Sequence, residues 1–196
     1  MKIRITPGAV LLLGVMAWTD GVLFPATLLA ASLHECGHLL AAHLLDIRLR
    51  LLELDIPGAR LVPLGALPSY RAEGLLAAAG PAASLLLGVL TLPFGGAFAT
   101  AARTATLSLA LFNLLPISGF DGGRVLFSLL ATRLCEQGAR RVLAVTTYLC
   151  LLLLFSLSSC LLLRYGENLS LAVLSASLFA RLFLLDEECS GGGRQK

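Results

Sequence analysis

Residues 22 to 45 read VLFPATLLAASLHECGHLLAAHLL, an almost unbroken apolar segment that nevertheless carries His34, Glu35, His38 and His43. About 20 mostly apolar residues suffice for one helical crossing of a bilayer. Ionisable side chains inside such a segment are expensive to bury and face either a partner or a wet cavity. Residues four apart lie on one face of a helix, so His34 and His38 can offer two imidazoles to a single ion. The spacing is H-E-x-x-H, in which Glu35 stands beside the pair without being needed as a ligand. The chemistry divides accordingly: two neutral imidazoles hold the metal, and Glu35 accepts a proton from the attacking water. The structural alternative is a set of hydrogen bonds from these three side chains to neighbouring helices.

The rest of the chain agrees with a bilayer as solvent. Of 196 residues 57% are hydrophobic and 14% charged, and the mean hydropathy is +0.87, outside the range of soluble domains. Apolar runs predict six spans, at 7–18, 22–45, 74–93, 101–118, 142–163 and 168–185; the first is short enough to be a half-span. The expected class is therefore an all-α polytopic membrane protein. Alternation at Ile47–Leu51 and Leu52–Ile56, followed by Pro57-Gly58, predicts a small interfacial β-hairpin between the second and third spans. An edge strand there can pair with an extended peptide.

With the N-terminus in the cytoplasm, Lys2, Arg4, Arg48, Arg50, Arg60, Arg71, Arg124, Arg133, Arg140 and Arg141 fall on the inner side. Only Arg103 and Arg164 fall outside, which favours cytoplasmic termini by the positive-inside rule. The expected organisation is one membrane domain over 1–185 and a short cytoplasmic tail over 186–196. The start, with Lys2 and Arg4 before an apolar run, reads as a retained helix rather than a cleaved leader. The net charge of +3 comes from scattered arginines, so nucleic-acid binding has no support. Five cysteines without metal-type spacing read as reduced and structural.

A catalytic zinc takes three protein ligands and keeps one position open. His43, five residues past His38, is rotated off the motif face, and most other acids lie in connections. Asp121 follows Asn113-Leu114-Leu115-Pro116-Ile117-Ser118-Gly119-Phe120 and precedes Gly122-Gly123, where Pro and Gly break the fourth span at the same depth. A break there is permitted if the freed backbone groups meet protein or an aqueous cavity. Asp121 is thus the third candidate ligand; the other reading is a solvated carboxylate in a helix-ending turn. Two imidazoles and a carboxylate favour zinc among divalent metals.

His34-Glu35-Cys36-Gly37-His38, with Asn113-Leu114-Leu115-Pro116 and Phe120-Asp121-Gly122-Gly123 on another span, resembles the site-2 protease family. Ala79-Gly80-Pro81-Ala82-Ala83-Ser84 is similar to the Gly-Pro segment of the intervening span in that family. The opening Met1–Pro7 resembles the short group typified by stage IV sporulation protein FB. That resemblance implies an intramembrane zinc metalloprotease cutting membrane-associated or single-span proteins near the cytoplasmic face of a bacterial membrane, with a sigma-factor precursor as one such substrate. It implies for Asn113 a role in steadying the substrate backbone or the developing oxyanion; a helix–helix hydrogen bond is the plain alternative. The chain departs from family members that carry an inserted PDZ domain or a C-terminal CBS domain. Rival readings are a catalytically silent scaffold and a metal transporter or sensor. A homo-oligomer or a regulatory membrane partner is left open.

Overall fold

The computed structural model describes residues 2–5, 21–55, 58–65 and 68–165. The proposed spans at 7–18 and 168–185 and the tail lie outside the described residues. The elements run β1 (Lys2–Ile5), α1 (Leu23–Leu44), β2 (Leu49–Asp55), β3 (Gly58–Pro63), α2 (Tyr70–Leu90), α3 (Ala97–Asn113), α4 (Asp121–Ala131) and α5 (Glu136–Tyr165).

Helix α2 is the hub, packed against α1, α3 and α4, while α3 also touches α1 and α5 packs on α4. The contacts use small residues at intervals of four. Ala26, Ala30, His34, His38 and Ala42 form the buried stripe of α1. Ala72, Leu76, Gly80, Ser84 and Gly88 are buried at the same spacing along α2, and Ala102, Thr106 and Ala110 along α3. Rows of residues four apart are natural packing ridges, and small side chains let the helix backbones approach closely. At Gly37 an added Cβ would lie 2.5 Å from the Ala79 carbonyl oxygen and 2.7 Å from Ala83 Cβ, so α1 and α2 are nearly in backbone contact there.

The bulky apolar residues point outward. Leu40, Leu44, Leu75, Leu86, Val89, Leu111 and Leu153 are all 60–74% exposed, the reverse of a water-soluble domain and suitable for lipid. Among the described residues two helices are long and apolar enough to cross a membrane, Tyr70–Leu90 and Glu136–Leu161.

A three-stranded sheet of order β1-β2-β3 sits beside the bundle. β2 and β3 pair antiparallel, with Leu49 opposite Pro63 and Asp55 opposite Gly58. β1 adds in parallel, with Lys2 opposite Leu51 and Ile5 opposite Leu54. The four-residue β1 was not anticipated, because Lys2-Ile3-Arg4-Ile5 is too short for its alternation to separate it from a helix lead-in. Among the described residues β3 has one neighbour in the sheet.

Two differences from the expectation bear on the site. α3 ends at Asn113 rather than running to 118, because Pro116 cannot continue it and biases Leu115 out of helical geometry. Residues 121–131, between the expected spans at 101–118 and 142–163, form α4; its opening Asp-Gly-Gly looks like a turn, but Phe120 is extended and Arg124 N–H returns to the Phe120 carbonyl at 3.1 Å. The turn before it needs glycine at 119, where φ is +97°, a region glycine enters without steric penalty.

Candidate metal centre

His34 and His38 lie one turn apart on α1, and Asp121 is the first residue of α4; all three are buried. His34 Nε2 lies 3.1 Å from Asp121 Oδ2, His38 Nε2 lies 3.2 Å from the same oxygen, and the two Nε2 atoms are 3.3 Å apart. Tetrahedral zinc with bonds of about 2.0–2.1 Å needs ligand atoms about 3.3–3.4 Å apart. The triangle is within a few tenths of an ångström of that size.

Proton positions sharpen the fit. His38 Nδ1 lies 2.8 Å from the Leu76 carbonyl oxygen, which can only accept, so the imidazole proton sits on Nδ1 and a neutral His38 turns the lone pair of Nε2 toward Asp121 Oδ2. An imidazole lone pair and a carboxylate oxygen at 3.2 Å repel unless a proton or a cation lies between them. His34 Nδ1 contacts Ser84 Oγ at 3.0 Å, and that hydroxyl can take either role. Residues 34, 38 and 121 form the metal-competent group of three His, Cys, Asp or Glu side chains found among the described residues, so the donor set fits a divalent cation.

Asp121 reaches the histidines because of the turn before it. Gly122 and Gly123 tuck under the backbone of 114–117: a Cβ at 122 would run into the Leu114 carbonyl and lie 2.6 Å from the Leu115 oxygen, and one at 123 would run into the Ile117 carbonyl. Ser118 N–H donates to Thr147 Oγ1 at 2.9 Å, tying the turn to α5. Arg124, one turn along α4, brings its guanidinium to 4.0 Å from Asp121 Oδ1 and 3.9 Å from Glu73 on α2.

The other candidates are placed differently. Glu35 follows His34 on α1, half-buried, with Oε2 enclosed. Asn113 stands at the last position of α3, where its amide donates to its own helix at Leu109 O, 3.0 Å away. His43 is exposed in the last turn of α1, outside the group. Cys36 is an exposed free thiol, and Cys135, Cys150 and Cys160 are also unbridged.

Sequence reading missed what α2 contributes. Leu76, Gly80 and Ser84, at intervals of four, run alongside His38 and His34. A Cβ at Gly80 would collide with His38 Nε2 and stand 2.6 Å from its Cε1 and 2.8 Å from His34 Nε2. The Gly-Pro segment was the one signal pointing there.

By sequence, the chain matches the profile of peptidase family M50 over residues 96–157, a stretch that includes Asn113 and Asp121. A search of curated proteins found no match. By structure, the chain is similar to the site-2 protease from Methanocaldococcus jannaschii, with a TM-score of 0.68 at 22% identity over 90% of this chain and 87% of that one. The family model covers residues 96–157 of the 196, and the structural likeness, at 22% identity, is one of fold. The outward leucines and the inward His-His-Asp group belong to this chain's own surface and core.

Proposed function

We propose that this chain is an intramembrane zinc endopeptidase of the site-2 type, with His34, His38 and Asp121 as metal ligands and Glu35 as general base. The convergence of Nε2, Nε2 and Oδ2 within 3.1–3.3 Å of one another carries the reading. Zinc, when bound, supplies Lewis acidity toward a peptide carbonyl and an attacking water. Glu35 takes the proton of that water and returns it to the leaving amine. Asn113 turns its amide from Leu109 toward the substrate backbone or the developing oxyanion. A transporter would spread ligands along a path, whereas the group here is compact and has a carboxylate beside it.

The substrate is a membrane-associated or single-span protein that is locally unwound, because helical peptide bonds are hidden by their own hydrogen bonds and side chains. An extended segment has a place to start: the outer edge of β3 can receive a strand. An open cavity of about 490 Å³ lined by Pro63, Ser69, Tyr70 and Glu73 lies between the end of that strand and the first turn of α2. Glu73 adjoins Arg124, and Arg124 adjoins Asp121. In this reading the protein is multi-pass in a bacterial cytoplasmic membrane, with six spans and both termini inside. The short sporulation group and a sigma-factor precursor are the finer expectation.

Cleavage of a panel of tagged single-span and membrane-associated proteins by the reconstituted chain tests the proposal, with wild type compared to Glu35→Gln at equal zinc content. Product from wild type and a fall of about 10²-fold or more in the variant are expected. Equal rates would remove Glu35 as the base; no cleavage from zinc-loaded wild type across the panel would favour the scaffold.

A further inference from the structure

The two histidines are held differently on the side away from the ligand triangle. His38 is fixed by a backbone carbonyl, Leu76 O, which no side-chain substitution removes. His34 is fixed by one side chain, Ser84, whose Oγ is 3.0 Å from Nδ1. Ser84 is fully buried, on the same stripe of α2 as Leu76 and Gly80, so no solvent hydroxyl can replace it.

A neutral imidazole has one N–H, and the nitrogen that carries it cannot ligate. Carbonyls accept only, so Leu76 leaves His38 one neutral tautomer. A hydroxyl both donates and accepts, so Ser84 serves His34 in two. In one, Nε2–H of His34 points at Asp121 Oδ2, 3.1 Å away, and Ser84 donates to Nδ1. In the other, Nδ1–H points at Ser84 Oγ and the Nε2 lone pair faces the centre of the triangle. Only the second can ligate. Gly80 closes off the α2 side of both rings, so His34 changes tautomer without turning.

We propose that Ser84 is a positioning residue of the metal centre: by accepting the Nδ1 proton of His34 it holds that ring with Nε2 presented to the metal. This rests on the metalloprotease reading of the same site. Groups that orient a ligating histidine from its far nitrogen typically change metal affinity by about 10- to 100-fold when removed.

The test is the zinc dissociation constant of the full chain purified in detergent, measured by competition with a chromophoric chelator. Ser84→Ala, and Ser84→Cys, which keeps the volume but accepts hydrogen bonds poorly, are expected to weaken zinc by about 10- to 100-fold. Ser84→Thr, which keeps the hydroxyl, is expected to recover most of that loss. Ser158→Ala, which empties another fully buried serine site on α5, is expected to bind like wild type. The visible spectrum of the cobalt-loaded protein is expected to shift in Ser84→Ala and to return in Ser84→Thr. Binding by Ser84→Ala and Ser84→Cys within twofold of wild type, or a loss in Ser84→Thr equal to that in Ser84→Ala, would overturn the assignment while leaving the protease reading intact. Failure of wild type to bind zinc would overturn both.

Discussion

Replacing Gly80 by alanine adds one methyl group where the structure has no space for it. The new Cβ would overlap His38 Nε2 and would fall short of ordinary contact by about 0.8 Å at His38 Cε1 and 0.6 Å at His34 Nε2. Neither ring can swing aside freely, because His38 is tied to Leu76 and His34 to Ser84 on the same helix as the offending methyl. The rings must break those bonds, or α1 and α2 must part along a stripe where Gly37 already sits against Ala79. Overpacking of this kind typically costs about 1–3 kcal/mol, and zinc sites tolerate ligand shifts of only about 0.2 Å. Gly80→Ala is therefore expected to weaken zinc at least 100-fold, about 2.7 kcal/mol, read by chelator competition, with cleavage lost in parallel. Gly88→Ala is the matched control two turns along α2: its Cβ would meet the flexible tip of Leu107 at 2.8 Å, so it should lower Tm slightly and leave zinc alone. Zinc binding by Gly80→Ala within threefold of wild type would refute the close packing of α2 on the imidazoles.

Four further outcomes follow from the same packing. Asp121→Asn keeps the shape of the ligand set but removes its negative charge, and zinc content after dialysis should fall well below one ion per chain. Stripping the metal with a chelator should abolish cleavage and lower Tm, and zinc at 100 times its Kd should restore about 2.7 kcal/mol of stability. Thr147→Val leaves the Ser118 N–H without the acceptor it meets at 2.9 Å; a loss of about 0.5–1.5 kcal/mol is expected in thermal melts, with recovery in Thr147→Ser. Gly37→Val drives a branched side chain into the Ala79 carbonyl and Ala83, and a melt of the metal-free protein should show at least a comparable loss.

How much of this was legible before the structure depends on the kind of signal. His34 and His38 were readable because a four-residue spacing on a helix is a local fact, and Asp121 because few carboxylates sat at a suitable depth. Helix α4 was hidden because two glycines after Asp121 resemble a turn; they serve instead to seat the helix against the carbonyls of 114–117. The parallel pairing of β1 with β2 joins residues about 49 apart in sequence, and no pattern within four residues announces it. Ser84 and Leu76 were invisible as orienting groups because that role depends on the register of α2 against α1, which neither helix encodes alone.

That register has a common cause. Ala26, Ala30 and Ala42 on α1 carry the same spacing as His34 and His38, so the ridge that packs the helix also carries the candidate ligands. The ridge it meets on α2 pairs Leu76 with His38 and Ser84 with His34, with Gly80 between them. Close approach of the two backbones therefore does two things at once. It releases the large apolar side chains to the outer surface, where lipid accepts them, and it brings a carbonyl and a hydroxyl within hydrogen-bond reach of imidazoles that could not otherwise be buried without loss. Any substitution that separates these ridges by a few tenths of an ångström should register in metal affinity before it registers in helicity, because zinc geometry is the less tolerant of the two. Chelator competition and far-ultraviolet circular dichroism on a Gly37, Gly80 and Ala83 series would show that order directly, and helix loss at unchanged zinc affinity would contradict it.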